Sequence, residues 1–266
     1  MKSRIIVRGL SLAYLTLLLV LPVGAVFWRT FEHGIRPFIS AIIAPAALHA
    51  LWLSLVIVAI AVPANTVFGV LGALTLARGW KPLPAVLDVI TDLPFAISPV
   101  VVGLALLLVY GRTGWFGPFL TAHGIHIIFA VPGMILATVF VSLPFVVREV
   151  APVLREVGME QEQAAMTLGA SGWQTFFRIT LPSIRWGLAY GVVLTTARAL
   201  GEFGAVSVIA GHVSGVSQTL TLYVDDRFQS FDMVGAYTAS IVLAVLALIT
   251  LFFMNTLAQR EGHHEY

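Results

Sequence analysis

Arg198 and Glu202 are the side chains in this sequence with the clearest chemical potential. They stand four residues apart inside an otherwise apolar stretch, Trp186 to Ala210, so on a helix they share one face. An arginine at membrane depth costs roughly 2.5–3.5 kcal/mol on insertion scales, and such a residue faces a bundle interior or an aqueous route rather than lipid. Two readings follow: an ion pair that pins this helix to its neighbours, or a cation lining the path of an anion. A second constellation begins at Asp88 and Asp92, followed by Leu93-Pro94 and Ser98-Pro99. Two acids at the start of a helix suit its positive end. The two prolines free backbone groups and make Pro94 and Ser98 candidates for a kinked gate or path.

Other chemistries lack their groups. With no cysteine there is no thiolate or disulfide chemistry. Only Lys2 and Lys81 occur and neither follows a glycine, so the chain has no P-loop lysine and ATP hydrolysis must belong to another protein. There is no HExxH, and the serines of the apolar runs have no histidine nearby in sequence, so no catalytic residue is assigned and an intramembrane enzyme fits poorly. His33, His49, His123, His126 and His212 fall near the ends of apolar runs or in polar loops, and His263 and His264 are adjacent in the tail. No spacing among them makes a metal site.

The elements that must position these residues are set by composition. The chain is 59% hydrophobic and 11% charged over 266 residues, with a mean hydropathy of +0.95, whereas a soluble domain is roughly a quarter charged. About 20 helical residues cross a bilayer. Charge-free windows of that order run over residues 9–28, 50–77, 93–110, 127–147 and 233–254, and the Arg198 stretch, 186–210, makes a sixth. Pro63 and Asn65 near the middle of the second window predict a kink or tilt. The first window follows Lys2, Arg4 and Arg8 but is too long for a signal peptide and lacks a small-x-small cleavage site, so it reads as an uncleaved span.

The expected fold is therefore an all-α integral membrane protein of one domain, residues 1–266, with six transmembrane helices and both termini on one side. With the N-terminus inside, the inner segments carry Lys2, Arg4, Arg8, Arg78, Lys81, Arg148, Arg155, Arg178, Arg185 and Arg260, and the outer ones Arg29, Arg36, Arg112 and Arg227. That asymmetry predicts an N-in, C-in topology.

It also places one anomalous segment, residues 151–184, in the cytoplasm. From Val153 the positions Val157, Ala164, Ala165 and Leu168 share a helical face, Gly169 offers a stop, and Ser171 is placed to cap a second short helix carrying Trp173, Phe176 and Phe177 at i, i+3, i+4. A helix resting on the lipid surface is one reading of such a segment. Its small residues, Ala164, Ala165, Gly169 and Ala170, bury little apolar area and instead suit close packing into a groove on another protein.

At these residues a resemblance enters. QAAMTLGASGWQTFFRITLP resembles the EAA loop of ABC-transporter permeases, Glu-Ala-Ala, three residues, Gly, nine residues, Ile-x-Leu-Pro. Ala164, Ala165, Gly169, Ile179, Leu181 and Pro182 fill that pattern in register, and Gln163 stands where the pattern has Glu, with Glu160 and Glu162 within one turn. LDVITDLPFAISPVVVGL, LPFVVREVAPVL and ARALGEFGAVSV extend the similarity to the oxyanion permeases, most closely the W-type permeases of sulfate/thiosulfate importers, with molybdate/tungstate permeases the alternative.

The resemblance implies the type I ABC importer permease fold and a multi-pass subunit of a bacterial inner membrane. It also implies ATPase coupling through Gln163, Ala164, Ala165, Gly169, Leu181 and Pro182, with Glu162 the other candidate for the missing carboxylate. The implied partners are a homologous T-type permease in a heterodimer, two ATPase subunits that use ATP and Mg, and a periplasmic sulfate- or thiosulfate-binding protein. The chain itself would bind no cofactor and no nucleic acid. A passive channel, the rival reading, has no use for a docking loop.

Overall fold

Backbone N–H and C=O groups in hydrocarbon have no water to bond, so apolar runs of this length resolve as helices. In the computed structural model, which describes residues 2–32, 34–79 and 82–261, there is no strand among the described residues. The order is α1 (Lys2–Leu15), a π-turn at Thr16–Val20, α2 (Leu21–Phe31), α3 (Ile35–Ile42), α4 (Pro45–Arg78), α5 (Leu83–Ala96), α6 (Pro99–Tyr110), α7 (Gly117–Ala122), α8 (Val131–Val157) and α9 (Glu160–Thr167). It continues with α10 (Gly172–Thr175), a π-turn at Phe176–Thr180, α11 (Leu181–Ser183), α12 (Arg185–Leu200), α13 (Gly204–Ile209), α14 (Leu220–Gln229) and α15 (Met233–Glu261). Lys81, His33, His263 and His264 lie outside the described residues.

Among the described residues four helical stretches are long and apolar enough to cross a membrane: Val7–Phe31, Pro45–Arg78, Val131–Val157 and Met233–Phe253. The other two windows differ from their expectation. Residues 93–110 are not one helix: α5 and α6 meet at a bend of 111° at Ile97 and Ser98. Residues 186–210 are interrupted at Gly201–Phe203, between α12 and α13. The helix expected over 127–147 spans Val131–Val157, so it starts four residues later and takes in the first seven residues of the segment expected as a loop over 151–184.

The bundle is organised around α4 and α8. At their closest approach a methyl group on Gly69 would lie 2.5 Å from Val146 Cβ, so a bare backbone is required there. Buried Asn65 ties the same helices by donating from Nδ2 to Val139 O (3.1 Å) and Ser142 Oγ (2.8 Å). Toward the polar segment, Val70, Ala73 and Leu76 of α4 close a core with Val146, Val147, Val150, Ala151 and Leu154 of α8 and with Ile184. Toward the opposite end, Ala47 and Ala50 pack with Leu220, Tyr223 and Ala239. By contrast residues 7–25 are exposed all along their length, and α2 reaches the bundle against α15 and α3.

Candidate functional site

The polar segment is a compact unit beside the core of Val70, Val146 and Ile184. Gly158, at φ 69°, ends α8, so Val157 and Ala164 do not share one continuous helix as their spacing predicted. α9 is a separate element, because the left-handed backbone at Gly158 turns the chain before Glu160. Gly169, at φ 89°, makes the second turn. Ser171 then caps α10 in a capping box: its Oγ accepts from Gln174 N (3.3 Å), and its own N–H donates to Gln174 Oε1 (2.9 Å).

The side chains of the unit divide sharply. Leu168, Trp173, Phe177 and Met166 are exposed, Leu168 at 89%, with the Trp173 and Phe177 rings stacked at 5.8 Å. Phe176 and Leu181 turn toward the bundle, against the core of Val70, Val146 and Ile184. Gln163, Ala164, Gly169 and Pro182 are exposed and Ala165 half-buried. Glu162 is the opposite case at 6% exposed. Its Oε2 pairs with Arg78 Nη1 at 2.5 Å, and Oε1 accepts a hydrogen bond from the Thr180 hydroxyl. Both carboxylate oxygens are satisfied, which a buried charge requires. The two alternatives thus separate: Glu162 is turned inward to tie α9 to the end of α4, and Gln163 is the outward residue.

The second site lies where the two broken helices meet. Arg198 Nη1 pairs with Glu202 Oε2 at 2.7 Å. Glu202 stands in the break rather than on the helix, 4% exposed, and its Oε1 accepts from Ala205 N (2.8 Å), satisfying a free donor at the start of α13. Thr221 Oγ1 donates to Glu202 O (2.8 Å). Ser54, Thr138, Glu202, Thr219 and Thr221 line a cavity of ≈ 10 Å³, room for about one water. Across from the break, a methyl on Gly204 would lie 3.0 Å from Pro99 Cβ, and one on Gly103 would lie 2.7 Å from Ala205 O. Pro94 is buried in α5, just before the bend. Ser98 is exposed at the start of α6 and makes no side-chain cap bond.

Asp88 and Asp92 do not open a helix; α5 starts at Leu83, and both acids reach Arg148 of α8. The guanidinium donates from Nε to Asp92 Oδ1 (2.9 Å), pairs through Nη2 with Asp92 Oδ2, and pairs through Nη1 with Asp88 Oδ1 (3.1 Å). Neither Arg148 nor Arg78 stands out as a site residue in the sequence. The signal was present, since two acids at i, i+4 on an apolar helix call for a cation on whatever packs against that face. Among the described residues no cluster of three His, Asp or Glu could hold a metal ion.

Comparison with known proteins places this geometry in context. Residues 65–263 match the family model described as binding-protein-dependent transport system inner membrane component. The chain is 50% identical over 264 residues to the sulfate transport system permease protein CysW of Synechocystis sp., covering 99% of this chain and 96% of that one. It is 37% identical over 254 residues to the sulfate transport system permease protein CysT of Escherichia coli, covering 96% and 92%. A solved chain of a bacterial alginate ABC transporter, crystallised with an alginate pentasaccharide-bound periplasmic protein, superposes with a TM-score of 0.79 at 19% identity, covering 97% of this chain and 96% of that one.

Proposed function

The chain belongs to the binding-protein-dependent transport system inner membrane components, and from that premise we propose that it is a permease subunit of an ATP-driven importer of sulfate or thiosulfate. It forms one half of the translocation path. The observation that carries the coupling part is the division within residues 157–184: Leu168, Trp173, Phe177 and Met166 present an apolar face outward, while Glu162, Arg78 and Thr180 fix the unit to the bundle. An exposed apolar surface on a rigid mount suits docking to another protein. A lipid-resting helix would gain nothing from the buried tie, and a passive channel nothing from the docking face.

The asymmetry of basic residues supports an inner, cytoplasmic position for this unit; among the described residues four apolar helices and the bent α5–α6 pair support five passages, and the sixth is assigned here to the broken α12–α13 pair. Two ATPase subunits would use ATP and Mg on that side, and the chain itself is non-catalytic. The relatives' names support sulfate as the substrate, and the likeness to both CysW and CysT supports a heterodimer with a T-type permease in a bacterial inner membrane, supplied by a periplasmic binding protein. Arg198, half-buried beside the break, is the candidate contact for a passing dianion.

Co-purification with the ATPase and the T-type permease tests the assembly. Gly169→Leu sets a side chain at φ 89°, at a cost of roughly 1–2 kcal/mol, and is expected to lower ATP-driven sulfate uptake severalfold. No complex, or full uptake in Gly169→Leu, refutes the coupling reading. Arg198→Ala is expected to insert normally and transport several times more slowly; wild-type uptake would remove Arg198 from the path.

A further inference from the structure

The bend at Ile97 and Ser98 divides its two arms between different neighbours. α5 packs on α4 and α8, whereas α6 packs chiefly on α13. α8 is also the helix that leads into the docking unit, through Gly158 and α9. The two arms meet α8 at different levels: Phe145 and Arg148 face α5, whereas Val102 of α6 shares a core with Ala137 and Val141 of α8, so displacing the end of α8 that leads into the docking unit acts first on α5.

The link between α8 and α5 is built around one side chain. Three contacts from Arg148 reach the two acids of α5, and Phe95 of α5 lies edge-on to Phe145 of α8 with ring centroids 5.5 Å apart. The ion-paired groups are half-exposed, and exposed ion pairs contribute little to stability. What this arrangement does supply is orientation, because a planar guanidinium held by both acids, bidentate on Asp92, fixes the roll and the height of one helix on another. Glu162 provides the matching tie below, between α9 and α4.

We infer that Arg148 is a positioning residue that makes α5 travel with α8, so that movement entering at the docking unit is delivered to the bend and from there to the Arg198–Glu202 break. This rests on the coupling reading above. α6 then acts as the stationary arm, held by Gly103 and Pro99 against α13, and the bend angle is the variable that ATP changes.

The chain has no cysteine, so pairs of labels can be confined to it when the partner subunits are supplied in cysteine-free form. In the assembled transporter, a pair at Val89→Cys and Arg155→Cys reports α5 against α8, and a pair at Val89→Cys and Leu108→Cys reports α5 against α6. On ATP binding, the first separation is expected to stay fixed and the second to change. In Arg148→Ala the first separation should change as well, with uptake per ATP hydrolysed falling at least tenfold while the complex still assembles and keeps its basal hydrolysis.

Exchanging the charges, Arg148→Asp with Asp92→Arg, should restore coupling to more than half. Asp88→Asn with Asp92→Asn, which keeps side-chain shape, repeats the test should Arg148→Ala fail to assemble. A first separation that changes in the unmutated clamp, full coupling in Arg148→Ala, or loss of assembly in every clamp variant overturns the inference and leaves the coupling reading standing. If neither separation moves on ATP addition, the coupling reading falls, and this inference with it.

Discussion

The docking unit and the paired breaks in mid-bundle both interrupt apolar helices, but they do so by opposite means. In the unit every interruption is local. Gly158 and Gly169 sit at positive φ, and Ser171 and Gln174 satisfy each other's backbone through a capping box. In the bundle the interruptions are tertiary. Glu202 caps α13 while bound to Arg198, Thr221 holds the carbonyl of Glu202, and Pro99 abuts Gly204 from another element. A local break survives a change in its surroundings and can serve as a rigid handle. A tertiary break depends on its neighbours, so shifting a neighbour resets it, which is the property a path that opens and closes needs.

The largest effect is expected where the handle itself becomes tertiary. Glu162→Ala leaves the Arg78 guanidinium, 17% exposed, without its carboxylate, and stranding a buried charge costs roughly 3–5 kcal/mol. Thermal unfolding of the purified subunit should shift down, and limited proteolysis should cut near Gly158 and Gly169. Glu162→Gln keeps an acceptor for Thr180 and should lie between. In a double-mutant cycle, Arg78→Gln on top of Glu162→Ala should cost much less than the sum of the two. A silent Glu162→Ala beside a disabling Gln163→Ala would reverse the roles assigned to these neighbours.

Next comes the contact between the two breaks. Gly103→Val places a side chain where even a methyl group would meet Ala205 O at 2.7 Å and Val208 Cβ at 2.8 Å. Overpacking of this kind costs about 1–3 kcal/mol. Because α6 must move off α13, the damage should appear in uptake before it appears in stability, with the docking unit still competent to bind the ATPase. Equal loss of both would mean that the two regions are less independent than their construction indicates.

That difference in construction also explains how much could be read from sequence. The Gly169 turn, the Ser171 cap and the spacing of Trp173 and Phe177 are encoded within a few residues, and all of them are visible in the string. The Arg198–Glu202 pair is legible for the same reason, being four residues apart. Two prolines in 93–110 signalled a kink, but its size of 111° follows from α5 being held on α8. One tie in that hold is Arg148, 56 residues from Asp92. Around Gly201–Phe203 the glycines admit close packing or a local bend, but a full break is not legible, because an apolar window reports hydrophobicity and not which carbonyls find a partner outside the helix. Val157 and Ala164 misled in the other direction, since their spacing continued across a glycine that turns the chain.

The smallest effect tests the local half of the comparison. Ser171→Ala removes the hydroxyl that accepts from Gln174 N, while the reciprocal bond from Ser171 N to Gln174 Oε1 survives. Loss of an N-cap side chain costs about 1 kcal/mol. If the unit is a self-contained handle, that cost stays within α10. Protection of the amides around Gly172–Thr175 from hydrogen exchange should drop roughly fivefold, as about 1 kcal/mol dictates, while the Glu162–Arg78 tie and the breaks keep theirs. Exchange rising also at Ala205, whose amide is held by Glu202, would show that the handle and the path are one cooperative body, and the distinction between local and tertiary breaks would then carry no functional weight.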